Sequence, residues 1–487
     1  MKNKLLLFSI ILVIKLITMF YFSHYMKDSD NGYLVTLPQD DEGYLSSVEN
    51  YMEQGYMFYD GAYANGKMYA QRVPGQSLSY LLFRSFLNKK TAINALIIFQ
   101  VFLSSFAFLF LYILVSDSVS SLFGRIMVFI LVVLEFYITY HNNIPYFAES
   151  INASLCIISL FLLNNYLKSF DKKVIVFLGI TVGLTFFFKV TSIVFVFIMG
   201  AYLFILLVRR MNNLKIVFNH LFLFCLPFVI METMWIARNE MVTDKLIFTQ
   251  EIKGAPISIN KYDNSKFIAT VNLCKAVGGD WVKWNPNSMV NWFNSDSYLA
   301  KMGFERPSDD ILPKVLFTKE LTIDKLKLAR QNLWDENENE GVEIINDFKM
   351  NVIKNHPFHF HVTSRLLFAK NLLFQTPTYY FPYSFNEANL LEKFIKTIAL
   401  FLHYLILVVP FIYLPIYLKN YSSFKDNIIN ICYTISFSYI LFYAFIFRTS
   451  EFRYNLMSYI FLFIITLFIF SRILNNYKVI FIKDKVK

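Results

Sequence analysis

The apolar residues of this 487-residue chain come in long blocks, and this pattern constrains the fold more than any other feature. A block of about 20 apolar residues is the length that a helix needs to cross the hydrocarbon core of a bilayer. Charged residues make up 17% of the chain, whereas a typical soluble domain has about 25%. The sequence therefore predicts an all-α polytopic membrane protein.

Block length and flanking charge together predict about ten transmembrane helices. The first follows Lys2 and Lys4, lacks a small-x-small cleavage site, and is interpreted as an uncleaved span rather than a signal peptide. The ten predicted spans lie at about 5–25, 92–115, 124–140, 149–168, 174–188, 191–208, 217–236, 397–418, 428–447 and 454–472.

The net charge of +11 is unevenly distributed along the chain. The tips on one side of the predicted bundle carry sixteen Lys and Arg against four Asp and Glu, a difference of +12, whereas segment 237–395 has nineteen of each sign. Basic tips mark cytoplasmic loops, so both termini are predicted to be cytoplasmic. The same distribution removes the need for a nucleic-acid partner. The four cysteines have neither disulfide-framework nor zinc-motif spacing.

Three regions follow from this topology. Residues 1–236 are predicted to form a transmembrane module that includes an outer loop at 27–90, and the residues described next make this the expected catalytic module. Residues 237–395 form a mixed extracytoplasmic loop domain, with helices predicted near 322–334 and 342–355. Residues 396–487 form the last transmembrane helices and a basic cytoplasmic tail. Within the outer loop, short helices along the membrane surface are predicted at 43–55 and 78–87.

The outer loop carries the residues best suited to group transfer. Asp40, Asp41 and Glu42 are consecutive, and Arg72 follows about thirty residues later in an Arg-Val-Pro-Gly turn. A carboxylate can accept the proton of an attacking hydroxyl, and an arginine can hold a phosphate through its planar fork of donors. The alternative is a structural one, in which the acidic residues favour the N-terminus of the helix that begins near Tyr44.

Other charged residues fall on the predicted outer side or within spans. Glu149 opens the fourth span, either as an intramembrane acid with a function or as its cap. Glu135 and Glu232 are acids in the outer halves of spans, expected either to line the same cavity or to pair with Lys189 or Arg238. Further outer arginines are Arg238, Arg448 and Arg453, for which contact with lipid headgroups is the general alternative.

Two kinds of site are not indicated. His356, His359 and His361 lie at spacings that match no standard zinc motif, so metal binding is not predicted there. The chain also has no glycine-rich phosphate loop and no Gly-x-Ser-x-Gly. Nucleotide-driven chemistry is therefore not expected.

Several short motifs, in their order along residues 1–375, resemble those of C-type membrane glycosyltransferases of the protein O-mannosyltransferase and aminoarabinose-transferase-like group. They begin with Asp41-Glu42 near Tyr44 and with the Arg72 turn. The others are Pro145 to Glu149, Gly179-x-x-x-Gly183 to Lys189, Trp235-x-x-Arg238-Asn239, and Asn355-His356-Pro357.

The resemblance implies transfer of a sugar from a polyprenyl-phosphate donor to an acceptor hydroxyl on the extracytoplasmic face of the cell membrane. It makes Asp41 the base, with Glu42 beside it and Asp40 as an extra acid. It makes Arg72 the contact to the donor phosphate, where some relatives have a Lys-Pro-Pro form. Arg238, Arg453 and Lys189 are further candidates for that phosphate. Inversion at the anomeric carbon is expected, and no cofactor is required, although a divalent cation is compatible.

Two other classes of function stay open. A ligase or polymerase of lipid-linked glycans would use a similar donor with different motifs. A transporter or flippase would also need charges within the membrane, but it is expected to show repeated halves and helices broken at the midplane. Neither feature is evident in the sequence. The sugar is not specified, nor is the acceptor, which is a protein, a lipid or a glycan.

Overall fold

The computed structural model describes most of the chain. It covers residues 2–25, 31–35, 42–59, 67–135 without 71, 148–249 without 212, parts of 269–334, 338–374, 381–419 without 382, 427–447 and 452–483. Asp40, Asp41 and Arg448 lie outside the described residues. For Glu42 and Arg453 the backbone is described and the side chain is not.

The described residues are helical, with one isolated antiparallel bridge between Tyr59 and Met68 and no strand. The helices are α1 Lys2–Ser23, α2 Glu42–Gln54, α3 Gly75–Arg84, α4 Lys89–Ser116, α5 Leu122–Val133, α6 Glu149–Ser169, α7 Lys172–Phe188, α8 Ile193–Arg210, α9 Leu214–Thr243, α10 Ser288–Phe293, α11 Ile323–Trp334, α12 Glu338–Asn355, α13 Ser364–Phe374, α14 Leu390–Lys419, α15 Asn427–Leu441 and α16 Phe452–Lys483. A π-helical turn precedes α13 at His359–Thr363, and another follows α15 at Phe442–Phe447.

Eight helices among the described residues are long and apolar enough to cross a membrane. They are the helices based on α1, α4, α6, α8, α9, α14, α15 and α16. The chain is thus a multi-pass membrane protein. Helices also stand at the two remaining predicted spans, but α5 has 12 residues and α7 has 17. The predicted surface helices correspond to α2 and α3, and the two predicted in the loop domain correspond to α11 and α12.

The long helices pack around α16. The membrane-length part of α16 is 78% buried inside the protein, whereas that of α9 is 17% buried. The bundle has two distinct ends. The cleft end carries α2, α3 and the N-terminus of α4, and the basic end carries the turns between α6 and α7 and between α8 and α9. The N-terminus of α1 and the C-terminus of α16 lie at the basic end.

Lys15 and Glu135 form a charge pair within the bundle, which corrects one expectation from the sequence. Glu135, 1% exposed, interacts electrostatically with Lys15 of α1 and forms a hydrogen bond with Tyr459 of α16. The Lys15 ammonium also lies 4.0 Å from the centre of the Phe108 ring. Glu135 was expected either to line the same cavity as Glu149 or to pair with Lys189 or Arg238. Its partners lie instead on two other membrane helices, so this acid joins α1 to α16.

Segment 237–395 has a small core of its own. Trp292 is fully buried, and its indole Nε1 donates to Asp309 at 3.0 Å. The Arg330 guanidinium lies 5.3 Å from the Trp292 ring centre, and Lys327 pairs with Asp309 at 2.7 Å. The hydrogen bond from Lys327 holds the pKa of the Asp309 carboxyl below its usual value. Helices α11 and α12 pack side by side over this core.

Candidate active site at the cleft end

A small cleft opens where α2, α3 and the end of α9 meet. Its volume is about 330 Å³ counted with its open mouth. The hydroxyl groups of Ser47 on α2 and Ser77 on α3 lie 3.1 Å apart and join the two helices beside it. We call this the outer cleft, lined by Ser47, Met57, Phe58, Tyr59, Met68, Tyr69, Arg72, Pro74, Ser77, Trp235 and Arg238.

An ion pair holds α2 against α3. Arg84 donates from Nε and Nη2 to the two carboxylate oxygens of Glu49, each at 3.0 Å, and the Tyr80 hydroxyl donates to Glu49 at 2.6 Å. Burial alone would raise the pKa of the Glu49 carboxyl. The bonds from Arg84 and Tyr80 outweigh burial and hold that pKa below its usual value. Glu49 is therefore an ionised structural residue between the two surface helices.

Arg238 fixes the chain segment that forms one wall of the cleft. Its guanidinium donates from Nη2 to the carbonyl of Met57 at 2.6 Å and from Nη1 to the carbonyl of Tyr69 at 2.5 Å. These two residues flank the Tyr59–Met68 bridge, in which each backbone N–H donates to the other residue's carbonyl at 2.9 Å. On the α2 side, Asn50 donates to the Phe58 carbonyl at 2.9 Å. Hydrogen bonds from α9, through Arg238, and from α2, through Asn50, thus hold this wall of the cleft in place.

The two arginines of the cleft each lie over an aromatic ring. Arg72 lies 5.4 Å from the centre of the Tyr44 ring on α2, and Arg238 lies 5.2 Å from the Trp235 ring on α9. Stacking on an aromatic face holds a guanidinium in one orientation. The described lining includes these two arginines and no carboxylate, so the outer cleft is a positively charged site.

Gly75 explains how the Arg72 turn reaches this position. A Cβ atom at Gly75 would lie 2.5 Å from the carbonyl oxygen of Phe187, at the end of α7. Only glycine permits so close an approach of the two backbones. The glycine of the Arg-Val-Pro-Gly sequence therefore lets the start of α3 pack directly against the end of α7.

Lys189 and Glu149 pair with each other rather than with the cleft. The Lys189 ammonium lies 2.8 Å from Glu149 Oε1, and the two side chains are 11% and 13% exposed. This pair joins the end of α7 to the start of α6. One turn further along, the Asn152 side chain and the Ser192 hydroxyl hydrogen-bond each other at 2.9 and 3.1 Å.

The structure therefore divides the predicted site residues into separate places. Arg72, Arg238 and Tyr44 come together at the outer cleft, and Glu42 begins α2 two residues before Tyr44. The Arg238 guanidinium donates hydrogen bonds to two backbone carbonyls and to the Asn239 side chain. A phosphate contact through Arg238, or through Lys189, stays a prediction.

Glu232 and His359 are not part of the described cleft lining. The Glu232 Oε2 atom on α9 is buried without a hydrogen-bond partner among the described residues. Glu232 was expected either to line the same cavity as Glu149 or to pair with Lys189 or Arg238, and its Oε2 atom makes no such pair. His359 lies 3.1 Å from the Val277 carbonyl, and burial lowers the pKa of its imidazole. No group of three or more potential metal ligands occurs within the described parts of the chain.

Sequence reasoning missed several residues that build the cleft. Glu49, Asn50 and Arg84 are polar residues on short amphipathic helices, where a solvent-facing position is the ordinary expectation. Their partners are 8 to 35 residues away in sequence. Only the presence of opposite charges on two helices predicted to lie along the same membrane surface could have pointed to the Glu49–Arg84 pair.

Comparisons with protein-family models, with curated proteins and with solved structures found no significant match. The chemistry of the outer cleft thus rests on its own geometry. Two guanidinium groups held on aromatic rings suit a bound anion with several oxygen acceptors, such as a phosphate. The serine hydroxyls and the tyrosines beside them add neutral hydrogen-bonding groups of the kind that sugars and phosphates use.

Proposed function

We propose that this chain is a C-type membrane glycosyltransferase that moves a sugar from a polyprenyl-phosphate donor to an acceptor hydroxyl. The observation that supports it most is the contact between Arg72 and Tyr44. It joins the Arg-Val-Pro-Gly turn to the first turn of α2, where the acidic sequence Asp40-Asp41-Glu42 leads into the helix. The proposed phosphate-binding cation thus contacts the helix whose first residue, Glu42, ends the acidic sequence.

In the proposed reaction the donor phosphate binds to Arg72. Asp41 takes the proton of the acceptor hydroxyl while the acceptor oxygen bonds to the anomeric carbon. The bond between that carbon and the phosphate oxygen breaks, and its electron pair leaves with the phosphate, whose charge the guanidinium stabilises. With the base and the phosphate on opposite faces of the sugar, the product has the inverted configuration. Glu42 and Asp40 are the alternative bases.

The proposal includes a membrane arrangement. The chain has ten spans in the cell membrane, with the outer cleft on the extracytoplasmic face. Segment 237–395 covers that face and contacts the acceptor. This segment is linked to the bundle through α13, since Ser364 donates to the Lys275 carbonyl at 2.8 Å and α13 packs against the turn at Phe442–Phe447.

A transfer assay tests the proposal. Membranes that contain the full chain are supplied with a panel of radiolabelled polyprenyl-phosphate sugars, and transfer is compared for wild type, Asp41→Asn and Arg72→Gln. Removal of a general base lowers such rates by about 10²–10⁴-fold, and removal of a group that stabilises the leaving charge lowers them by about 10²–10³-fold. Both variants are expected to fall within these ranges.

Two matched controls make the assay specific. Asp171→Asn and Arg209→Gln change the same residue types at exposed positions of the basic end, away from the cleft, and are expected to keep wild-type transfer. Asp40→Asn and Glu42→Gln identify the base if Asp41→Asn is active. Wild-type rates in Arg72→Gln and in all three acid variants would reject the site. If correctly inserted wild-type protein transferred no sugar from any of the donors, the proposed glycosyltransferase function would be rejected.

A further inference from the structure

A second cavity lies at the basic end of the bundle, at the opposite end of α4 from the outer cleft. Helix α4 has 28 residues, a length of about 42 Å, and runs between the end of the bundle that carries α2 and α3 and the end that carries this cavity. The cavity is open and has a volume of about 1140 Å³ with its mouth included. It is separate from the proposed reaction, and nothing in the argument below depends on that reaction.

Five helices or their ends contribute to this cavity. Lys168 comes from α6, Arg210 from α8 and Arg472 from α16, and Asp117 follows α4 directly. We call it the basic cavity. Its described lining has three cations and one carboxylate, a formal charge of 3 − 1 = +2.

Hydrogen bonds hold the cations at the cavity wall. Arg472 Nη1 donates to the Tyr413 hydroxyl at 2.8 Å, and Arg210 Nη1 donates to the Leu167 carbonyl at 3.2 Å. Lys168 lies 3.3 Å from Asp117, with both side chains more than half exposed. An ion pair so exposed to water contributes little energy. Lys168 can therefore turn from Asp117 to another anion at small cost.

The rest of the lining is divided between polar and apolar groups. The hydroxyls of Ser118 and Ser471 lie 3.1 Å apart. Leu114, Ile428 and Phe468 form apolar wall beside them. A preference for basic tips explains why cations are abundant at this end. It does not explain why three of them from three helices surround one cavity that also has an apolar wall.

We propose that the basic cavity binds the phosphate headgroup of an anionic lipid. The cations and hydroxyls suit a phosphate group, and the apolar residues suit the part of the lipid next to its headgroup. Basic pockets between membrane helices are a general means of binding anionic headgroups. A free phosphate ion offers the same charge without an apolar part, so the two sources are distinguishable by experiment.

Lipid binding to the purified full-length protein tests this proposal. Native mass spectrometry in detergent measures the affinity for phosphatidylglycerol, for phosphatidylcholine with the same acyl chains, and for phosphatidylglycerol in the presence of millimolar inorganic phosphate. The test variant is Lys168→Gln with Arg472→Gln. The matched control is Lys173→Gln with Lys215→Gln, which removes the same charge from exposed positions at the same end.

Wild type is expected to prefer phosphatidylglycerol, and the test variant to bind it about tenfold more weakly or worse, because each cation near a headgroup contributes measurably. The control is expected to stay within about twofold of wild type, since its lysines are not in the cavity lining. Asp117→Asn removes the only carboxylate of the described lining. It is expected to strengthen binding about fivefold, a direction that loss of folding does not produce.

Three results would overturn the proposal. Equal affinity for the two lipids would show that charge is not recognised. Equal loss in the test and control variants would show that the bulk charge of this end, rather than the cavity, attracts the lipid. Displacement of phosphatidylglycerol by millimolar phosphate would assign the cavity to the free ion instead.

Discussion

At the scale of single residues, the outer cleft depends on side chains that bind the backbone of their own chain. Arg238 is the main example, since one guanidinium spans the carbonyls of Met57 and Tyr69. Lysine has a compact ammonium and cannot reproduce this planar pair of donors. A change that preserves the charge therefore still removes the support of the cleft wall.

Arg238→Lys is expected to free segment 57–69 from α9. Loss of a charged hydrogen bond costs about 1–3 kcal/mol, so trypsin is expected to cleave after Lys67 at least about fivefold faster in detergent-solubilised protein. The rate is read from the peptide that begins at Met68. Arg306→Lys, in which the native arginine makes an ion pair with Asp296, is the matched control. An unchanged rate at Lys67 would remove Arg238 from its structural role.

Glu49→Gln is expected to lower the unfolding midpoint at pH 7, with a loss of about 1–2 kcal/mol because the ion pair with Arg84 is partly exposed. The folded-state pKa of Glu49 is below its usual value. Its contribution is therefore complete above the unfolded pKa, about 4.3, and is lost as the pH falls through the folded pKa.

The difference between wild type and Glu49→Gln is thus expected to shrink below about pH 4. Unfolding midpoints from intrinsic fluorescence at pH 7 and at pH 3.5 measure it. Glu53→Gln on the same helix, with an exposed side chain, is expected to change neither midpoint. A gap that widens in acid would contradict the sign of this argument.

At the scale of elements, the sequence was most informative for long helices and least informative for their contacts. Apolar block length is a local property, so helices stand at all ten predicted span positions. The Gly179-x-x-x-Gly183 sequence is one of the motifs that resemble those of C-type membrane glycosyltransferases. In the structure both glycines face α9, which is the packing role that small residues have between membrane helices.

The two glycines are expected to respond differently to alanine. A Cβ at Gly179 would lie 2.2 Å from the backbone oxygen of Phe224, whereas one at Gly183 would meet the flexible end of Met231 at 2.7 Å. Gly179→Ala is expected to lose about 1–3 kcal/mol of stability by overpacking. Gly183→Ala is expected to be nearly neutral, because Met231 can move and alanine favours helix.

The measurement is the unfolding midpoint of the purified Gly179→Ala and Gly183→Ala variants, which differ only in the position of the new methyl group within one motif. Gly200→Ala on α8 is an additional control, since its new Cβ would make an ordinary contact of 3.7 Å with the Phe224 ring. Equal losses for Gly179→Ala and Gly183→Ala would show that the backbone contact with Phe224 is not the decisive one.

At the scale of the whole molecule, the candidate site was predictable in part. Arg72 stands out because it is a basic residue on the predicted outer side, against the general preference of basic residues for cytoplasmic loops, and it lines the outer cleft. The partners of Glu135 and Glu149 were not predictable in the same way. Lys15 is 120 residues from Glu135 and Lys189 is 40 residues from Glu149, so helix packing, rather than local sequence, brings each pair together.

The division into a cleft end and a basic end leads to a prediction about sidedness. In a background without the four native cysteines, Lys67→Cys and Asp310→Cys at the cleft side are expected to react with an impermeant maleimide added to intact cells. Lys173→Cys and Lys215→Cys at the basic end are expected to react only after the membrane is opened. The physical reason is the excess of Lys and Arg at the basic end, which favours retention in the cytoplasm.

Labelling of Lys173→Cys and Lys215→Cys in intact cells, with protection of Lys67→Cys, would reverse the orientation. The outer cleft would then face the cytoplasm. The polyprenyl-phosphate sugar would have to bind from the cytoplasmic leaflet instead of the extracytoplasmic leaflet proposed above. The basic cavity would move with it to the outer leaflet. Because the two sites lie at opposite ends of one helix bundle, one labelling experiment determines the side of the membrane for both of them.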